Sequence, residues 1–362
     1  MLTAQEKSTG KCGVQLAVRE LTEEEYPLWD QLVQYSPQRS IFTERWWMDI
    51  VTNGGMRLLG CFRKGLLVGG LPIWPCVTLG VRRLRQPPLA PYWGPILREE
   101  KPGEKYVTQL SNEFAILRAL AKELASWSDV ILQFHPSLTN WLPFYWEGYA
   151  QSTRYTYRLN DLSDLNQVTG NIHKTNLAAI RTANKHGLKI VDETDIMIPI
   201  EMSNLSMKRQ KAMASPEIRR FWPKLARAAQ ERGRLAISAA VDHVGNVHAA
   251  DALVWDDRVC YSLVGGGVPE YRHTCGGVLV VWHQIQLAAK MGRIFDFEGS
   301  MIEPIELFMR RFGGVQCSYM QVSRMKSFRL NLARAVFDKL QWERRNGYPM
   351  NGDEKSPTSE GE

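Results

Sequence analysis

The sequence predicts an α/β (α+β) protein with two lobes, each a mixed, largely antiparallel sheet flanked by helices. Three observations support this fold class. The chain has 362 residues, which is long for a single hydrophobic core. Its composition, 44% hydrophobic and 23% charged, is typical of a globular protein. A similar order of strands, helices and meandering strands occurs in both halves of the chain.

The first lobe is predicted to span residues 14–150. A strand at 14–21 precedes a helix that Thr22 can cap, because Glu25 follows three residues later. Alternating apolar runs at 57–80 predict antiparallel strands, and the proline-rich stretch 85–97 predicts an ordered loop. The other elements predicted here are helices at 40–55 and 105–127 and a buried strand at 129–136.

The second lobe is predicted to span residues 151–325. It starts with a strand at 155–160 and a long helix at 165–187, and three strands between 234 and 267 form a meander. Ser215 is the predicted cap of a helix at 215–233, because Pro216 follows at its first position. The remaining predicted elements are strands at 188–193, 293–299 and 315–323 and helices at 199–213, 275–292 and 304–313.

An amphipathic helix is predicted at 326–348, followed by a disordered acidic tail at 351–362. Its apolar stripe consists of Phe328, Leu332, Val336 and Leu340. Two interpretations are open: the helix packs on the second lobe, or its basic side chains contact phosphate or a membrane surface.

The net charge of +7 is unevenly distributed along the chain. Residues 1–150 have a net charge of +1, residues 151–350 of +9 and the tail of −3. A basic second half favours an anionic partner, such as a nucleotide cofactor, tRNA or an acidic membrane surface. The alternative is a solvated basic surface without a ligand.

No apolar run is long enough to predict a transmembrane helix, and the N-terminus does not resemble a signal peptide. We therefore expect a cytoplasmic protein. The six cysteines are scattered without CxxC spacing, which predicts reduced thiols, and no ligand spacing predicts a metal site.

The stretch "MGRIFDFEGS" at 291–300 places Asp296 and Glu298 two residues apart on a predicted strand, where they would share one face. Such an acid pair is either structural or chemical. In the structural interpretation, Asp296 caps the next helix or pairs with Arg310 or Arg311.

Four phrases in order resemble the tandem GNAT-like acyltransferases related to the Fem peptidoglycan aminoacyltransferases. They are "NIHKTNLAAIRTANKHGLKIVDE", "HAADALVW", "YSLVGGGVPEYR" and "GRIFDFEGS…FMRRFGG", and the resemblance covers residues 40–325. It implies two GNAT-fold lobes with a cleft between them. It also implies acyl transfer from acyl-CoA or aminoacyl-tRNA to an amine, with no tightly bound cofactor.

The resemblance also implies a pyrophosphate-binding loop, (Gln/Arg)-x-x-Gly-x-(Gly/Ala), at a helix start. The matching stretch is "RHTCGG", in which Cys275 stands where the family has its first glycine. The loop residues implied are Arg272, Thr274, Cys275, Gly276 and Gly277. Fem enzymes place an acid shortly after a "GP" loop, but this chain has Arg98 there, so a different acceptor amine is expected.

Acyl transfer to an amine needs a base, donors for the oxyanion and a proton for the leaving group. The candidate bases are Asp251, Asp296 and Glu298, because a strand end in a cleft can raise a carboxyl pKa. Tyr261 could protonate the leaving group, although a core tyrosine is the alternative. His248 is a further possible base, and His283 is predicted to pack in a helix.

Binding candidates come from one helix and one loop. Lys174, Arg181 and Lys185 are spaced by seven and four residues, so they share a helix face that could read phosphates or simply be solvated. Tyr92 and Trp93 belong to an aromatic-rich first lobe, which could stack on a sugar or nucleobase or pack in the core.

The sequence therefore predicts a cytoplasmic N-acyltransferase. Its donor is an acyl thioester of CoA or a carrier protein, and its acceptor is an amine on a cell-envelope sugar, a lipid precursor or a metabolite. The alternatives are an aminoacyl-tRNA-dependent enzyme and a degenerate lobe pair that binds nucleic acid or an acidic partner. Peripheral contact with the inner membrane face is also open.

Overall fold

The computed structural model of the chain describes residues 16–326, apart from 79, 100–101 and 210–215. It also describes residues 328, 331–333, 335–337, 339 and 340. The predicted cap Ser215 and the acidic tail lie outside these residues.

The described residues form a mixed α/β structure. Its strands are β1 (Leu16–Glu20), β2 (Arg57–Arg63), β3 (Leu66–Ile73), β4 (Pro75–Thr78), β5 (Val81–Leu84), β6 (Ile96–Leu97), β7 (Asp129–Gln133), β8 (Ala150–Leu159), β9 (Lys189–Asp192), β10 (Leu235–Val241), β11 (Val247–Trp255), β12 (Val259–Gly267), β13 (Ile294–Asp296) and β14 (Val315–Met325).

The helices lie mainly where the sequence predicts them. They are α1 (Tyr26–Gln34), α2 (Arg45–Thr52), α3 (Tyr106–Glu123), α4 (Leu142–Trp146), α5 (Leu165–Asn171), α6 (Lys174–Lys185), α7 (Ile198–Arg209), α8 (Pro216–Glu231), α9 (Gly276–Lys290) and α10 (Glu303–Arg310). The fold class is confirmed: both halves combine helices with mixed, largely antiparallel sheets.

The two halves share a sheet. A four-stranded sheet has the order β1-β2-β3-β6, and a ten-stranded sheet has the order β4-β5-β7-β14-β8-β13-β12-β11-β10-β9. The last strand, β14, pairs antiparallel with β7 of the first half and with β8 of the second. The predicted lobe boundary at 150/151 therefore falls within β8, a strand of the ten-stranded sheet, and the division into domains stays a prediction.

The predicted helix at 165–187 is two helices. The chain breaks at Ile172, which is buried in an extended conformation, and His173 starts α6 as its cap. The His173 Nδ1 accepts a hydrogen bond from the backbone N–H of Thr175 at 3.2 Å. The His173 N–H donates to the carbonyl of Arg311 at 2.9 Å, so a tertiary bond holds the break.

The largest buried cluster contains side chains from both halves. Trp29, Trp47, Trp93 and Trp222 are fully buried within it. The aromatic enrichment of the first half is thus largely explained by core packing, because each such ring buries a large apolar area.

Every described residue between 328 and 340 is helical and exposed, including the four apolar residues of the predicted stripe. None of the described residues from 328 to 340 is buried, and both sequence interpretations of this helix stay predictions. Within the described residues, no helix combines the length and apolar character needed to cross a bilayer.

Candidate functional site

Two parallel strands diverge at the centre of the second half. β12 and β13 pair only from Val259 to Tyr261, and β13 ends at Asp296, while β12 continues to Gly267. The register of β12 against β11 also shifts, so Leu263 has no partner residue on β11. A β-bulge of this kind leaves backbone groups outside the ladder. The divergence creates an unpaired strand edge within the sheet.

Glu298 lies where the chain leaves β13. It is half-buried, and its backbone has φ of 59°, a left-handed conformation that is strained for a side chain of this kind. Its Oε1 atom is buried without a hydrogen-bond partner. Burial, with further contributions from the charges of Asp296 and Asp251, raises the Glu298 pKa well above its usual value.

The next residue fixes this turn against β8. Gly299 has φ of 71°, and a Cβ atom there would lie 2.0 Å from the carbonyl oxygen of Tyr155. Only glycine fits so close to a neighbouring backbone. The sequence prediction that Glu298 shares a strand face with Asp296 is therefore wrong, because the strand ends first.

Asp251 faces the same region from β11. Its carboxylate accepts hydrogen bonds from the Ser262 hydroxyl at 3.0 Å and from the Gln284 side-chain amide at 3.2 Å. Burial raises the Asp251 pKa to about 7, against the lowering effect of these two bonds. A Cβ atom at Gly265 would lie 2.3 Å from an Asp251 carboxylate oxygen, so this glycine makes room for the acid.

Asp296 is occupied by structural bonds. Its fully buried carboxylate accepts hydrogen bonds from Tyr92 Oη at 3.0 Å, Thr156 Oγ1 at 2.5 Å, Arg158 Nε at 2.8 Å and the Glu298 N–H at 2.8 Å. The structural interpretation of Asp296 is thus favoured. Its partner is Arg158 on β8, and the suggested pairing with Arg310 or Arg311 is corrected.

Tyr261 and the aromatic loop residues lie in the core. The Tyr261 hydroxyl donates to Asp256 at 2.9 Å, which favours packing over proton transfer for this residue. Tyr92 and Trp93 are 1% and 0% exposed, so neither ring can stack on a ligand, and their suggested binding role is corrected. Tyr92 instead carries one of the bonds to Asp296.

The predicted anion loop precedes α9. Cys275 has φ of 62°, which glycine adopts without strain, so the cysteine reproduces the glycine conformation at a steric cost. Gly276 starts the helix close to the sheet, where an added Cβ would lie 3.2 Å from His248 Cβ. The first backbone N–H groups of a 15-residue helix thus follow a tight turn, the usual geometry for anion binding.

His248 supports this loop from β11. Thr274 Oγ1 donates to the Tyr271 carbonyl at 2.7 Å, so it accepts from His248 Nδ1 at 2.9 Å. The His248 ring also stacks on Tyr271 at 4.0 Å, and its Nε2 lies 3.3 Å from Asp242. The histidine and Thr274 therefore hold the loop shape, and these contacts use both ring nitrogens.

Cationic side chains gather at the same loop. Burial and the charge of Arg272 lower the pKa of Arg209 at the end of α7, so the two guanidinium groups repel each other electrostatically. Sequence analysis missed Arg209, since its approach to the loop depends on the packing of α7 over β12. The Gly267 N–H donates to Ser206 Oγ on α7 at 3.0 Å, which holds that packing.

The predicted basic face of α6 is exposed at Lys174, Arg181 and Lys185. The rings of His186 and His273 contact edge to face at 5.5 Å, so the end of α6 lies beside the loop. The structure thus places the C-terminal end of this helix, where Lys185 lies, beside the loop.

A surface cavity lies away from these residues. It has a volume of about 670 Å³ and lies between the first two helices of the first half and the β11–β12 turn. None of the predicted site residues lines it. The predicted cleft between the lobes stays a prediction, and the candidate site described here is the β12–β13 divergence within the second half.

Comparisons with known proteins agree with this geometry. Residues 178–300 match the family described as "Acetyltransferase (GNAT) domain". No curated protein sequence matches the chain at a significant level. Among solved structures, the crystal structure of FemX is 11% identical, with a TM-score of 0.59, and the alignment covers 88% of this chain and 99% of that one.

Two other structures have similar folds. The C-terminal domain of a putative lysylphosphatidylglycerol synthetase from Agrobacterium fabrum is 11% identical with a TM-score of 0.51, covering 88% of this chain and 96% of that one. A tandem GNAT protein from the clavulanic acid biosynthesis pathway is 14% identical with a TM-score of 0.50, covering 86% and 99%.

The second half thus contains a GNAT acyltransferase domain, and the whole chain has the fold of the Fem-like tandem GNAT acyltransferases. The chain is an acyltransferase, as its sequence resemblance predicts.

Replacing Arg158 by Met should lower the free energy of unfolding by about 3–5 kcal/mol, because it leaves the buried charge of Asp296 without its cation. Chemical denaturation measures this change. The control is Arg154→Met on the same strand, whose guanidinium bonds only to Gln321 among the described contacts and should cost much less. Equal losses in the two variants would contradict a structural role for the Asp296 pair.

Replacing Cys275 by Gly should raise the free energy of unfolding by about 1 kcal/mol, because glycine relieves the left-handed strain. The matched variant Gly276→Ala should be destabilising, since its Cβ meets tightly packed side chains. Thermal melts of both variants give the comparison. A lower melting temperature for Cys275→Gly would show that the thiol contributes more than the strain costs.

Proposed function

We propose that the chain transfers an acyl group from an acyl thioester, of CoA or a carrier protein, to a primary amine, with Glu298 as the base. The observation that carries this proposal is the state of Glu298. A half-buried carboxyl group with an unpaired buried oxygen, a strained backbone and a raised pKa lies where two central strands of a GNAT domain diverge. Such combinations mark functional sites more often than structural ones.

In the proposed reaction, the amine nitrogen attacks the thioester carbonyl carbon. Glu298 takes a proton from the nitrogen as the C–N bond forms, and the tetrahedral intermediate then breaks its C–S bond. The proton passes from Glu298 to the departing thiolate, which leaves as a thiol. No covalent enzyme intermediate is needed. A raised pKa suits this role, because a stronger base accepts the amine proton more readily near neutral pH.

Asp251 tunes this base. Its negative charge contributes to the raised pKa of Glu298, and Ser262 and Gln284 hold its carboxylate in place. When Asp251 is ionised, Glu298 holds a proton more tightly. We assign Asp251 this electrostatic role, with Glu298 as the group that exchanges the proton.

The bulge at Leu263 is the proposed source of the oxyanion donor. It lies on β12 beside the divergence, and a backbone N–H outside the ladder is available for an oxygen that gains charge. Asp296 has no place in this chemistry, because four donors already occupy its carboxylate. Tyr261 is left out because its hydroxyl already donates its proton to Asp256.

The donor phosphates would bind at the start of α9. Arg272 and Arg209 supply positive charge there, and the N–H groups of Gly276 and Gly277 supply the helix N-terminus. Thr274 and Cys275 shape the loop. Lys174, Arg181 and Lys185 on the neighbouring α6 would extend the binding surface for a larger anionic donor.

The proposed acceptor is an amine on a cell-envelope sugar, a lipid precursor or a metabolite, and the proposed location is the cytoplasm, where acyl-CoA is available. A Fem-like enzyme that uses aminoacyl-tRNA is the second candidate, supported by the exposed basic face of α6. A degenerate lobe pair that only binds nucleic acid or an acidic partner predicts no turnover at all.

Glu298→Gln should lower kcat by about 10²- to 10⁴-fold, because the amide cannot accept the amine proton. Release of free thiol from acyl-CoAs, with glucosamine, ethanolamine and lysine as trial amines, measures the rate. Glu303→Gln, an exposed acid nearby, is the control and should be fully active. Unchanged turnover in Glu298→Gln with reduced stability would make Glu298 a structural residue.

The pH profile separates the roles of the two acids. Activity requires ionised Glu298, so kcat/KM should fall as the pH drops through its raised pKa, well above the ordinary range of a carboxyl group. Asp251→Asn removes a negative neighbour, so it should lower the Glu298 pKa and move this limb to lower pH. If the acidic limb of the kcat/KM profile lies at the same pH in Asp251→Asn as in the wild type, the proposed coupling between the Asp251 and Glu298 carboxyl groups is contradicted.

Donor classes are distinguished by thermal stabilisation. Acetyl-CoA should raise the melting temperature even at high salt, whereas tRNA binding should weaken steeply as salt rises. Arg209→Ala should reduce stabilisation by acetyl-CoA, and Arg57→Ala in the four-stranded sheet should not. Stabilisation by tRNA alone would favour the second candidate, and an equal effect of both arginine variants would contradict the assigned phosphate site.

A further inference from the structure

A row of paired residues crosses four neighbouring strands at one end of the ten-stranded sheet. Asp192 on the edge strand β9 pairs with Ser238 on β10, and Ser238 pairs with Asp251 on β11. Asp251 in turn pairs with Gly265 on β12. Directly paired residues present their side chains on one face of a sheet, and α9 covers this face, because its Gln284 bonds to Asp251. The row therefore leads beneath α9 from the exposed Asp192 to β12.

Two polar atoms beside Asp251 have no hydrogen-bond partner among the described residues. They are the Ser238 hydroxyl oxygen and the Gln284 side-chain oxygen, and both residues are 0% exposed. An unsatisfied buried polar atom is costly, and buried water commonly bonds to such atoms. Ser238 is the strand neighbour of Asp251, and the Gln284 amide nitrogen donates to Asp251 at 3.2 Å. The three side chains can therefore supply the partners that one buried water needs.

The Asp251 carboxylate leans from β11 towards the β12–β13 divergence. It accepts a hydrogen bond from Ser262 on β12 at 3.0 Å, and a Cβ atom at Gly265 would lie 2.3 Å from one of its oxygens. Both residues lie beyond Tyr261, where β12 has already separated from β13. Glu298 follows β13 on the other side of the divergence, and the charge of Asp251 contributes to its raised pKa. The row thus ends at the proposed base.

The proposed reaction releases a proton that must reach the solvent. A primary amine is mostly an ammonium ion near neutral pH, so the balanced reaction is R–NH3⁺ + R′CO–SR″ → R′CO–NH–R + R″SH + H⁺. Two protons leave the nitrogen, and Glu298 can hold only one at a time. The proton that it takes during the attack passes to the departing thiolate. The earlier proton, which frees the amine, must therefore leave Glu298 first, and bound substrates would cover the open side of the divergence.

We propose that Ser238, Gln284 and Asp251 hold a buried water molecule. This water lies on a path that takes the first proton from Glu298 to the solvent at Asp192. Asp251 receives the proton from Glu298 and passes it to the water. The Ser238 hydroxyl accepts a proton from the water and donates its own to Asp192, which releases it. The inference rests on the proposed role of Glu298 as the base, and it gives Asp251 a second role beside the electrostatic one.

Few titratable groups face this path among the described residues. Burial raises the pKa of Asp251 to about 7, and the bonds from Ser262 and Gln284 act against it. Such a carboxyl group can both accept and release a proton near neutral pH. At the solvent end, burial lowers the pKa of His283 on α9, the charge of Asp192 opposes this, and the charge of Lys290 adds to it. His283 is therefore a second proton acceptor at that end.

The variant Ser238→Ala tests the water site in the absence of substrates. If the hydroxyl bonds to water, its removal should lower the melting temperature, whereas removal of an unsatisfied hydroxyl should raise it. The control is Ser36→Ala, a buried serine of the first half that bonds to Gln38 and should also melt at a lower temperature. A crystal structure of the wild type should show a water bonded to Ser238 Oγ and Gln284 Oε1. A higher melting temperature of Ser238→Ala, or a crystal structure without this water, would overturn the proposal.

Turnover at saturating substrate, measured in water and in heavy water, tests the proton path. Ser238→Ala should lower kcat about tenfold and raise its solvent isotope effect, because proton exit becomes rate-limiting. Asp192→Asn should act in the same direction but less, since His283 remains, and Ser36→Ala should match the wild type. An unchanged kcat and isotope effect in Ser238→Ala, with Glu298→Gln inactive, would reject the path and keep the base. Full activity of Glu298→Gln would reject the base and the path together.

Discussion

The carboxylate of Asp296 is the constraint on which the candidate site depends. Its four hydrogen bonds join the loop before β6, the strand β8 and the turn after β13 at one buried point. One of these bonds comes from the backbone N–H of Glu298. The left-handed turn at Glu298 is thus held by a neighbouring acid that forms an ion pair with Arg158. The two acids have opposite roles, because one is saturated with donors and the other has an oxygen without any.

This arrangement explains how the fold creates a reactive group from an ordinary glutamate. Burial alone would favour the neutral acid, and the nearby charges of Asp296 and Asp251 act in the same direction. The turn passes so close to β8 at Gly299 that a Cβ atom there would clash with the Tyr155 carbonyl oxygen. Strain and desolvation are therefore concentrated at one residue, while the surrounding sheet is well packed and hydrogen-bonded.

Much of the fold could be predicted from the sequence. Helices α3, α8 and α9 and the β10–β12 meander have strong periodic patterns with clear turn residues between them, so local chemistry determines them. The break between α5 and α6 could not be predicted, since it depends on a bond from His173 to Arg311, far away in the chain. The position of β14 between β7 and β8 likewise depends on pairing between strands that are far apart in the chain, which no local sequence pattern predicts.

The candidate site shows the same limit. The sequence alone indicates that the stretch around Asp296 and Glu298 is important, because two acids in an apolar segment are unusual. The sequence does not predict that the two acids have separate roles. The strand ends at Asp296, so the two-residue periodicity of a strand no longer applies at Glu298. Cys275 was identified as a departure from the family loop, and the structure shows that it keeps the glycine conformation. No sequence pattern points to Arg209 as a binding residue, because only the packing of α7 brings it towards Arg272.

The most direct test of the central claim is a measurement of the Glu298 pKa by carbon NMR on protein labelled at the glutamate carboxyl carbon, with Glu298→Gln to assign the resonance. The account predicts that this carboxyl group titrates well above the other glutamates, and lower in Asp251→Asn. Titration of Glu298 together with the exposed glutamates would contradict it.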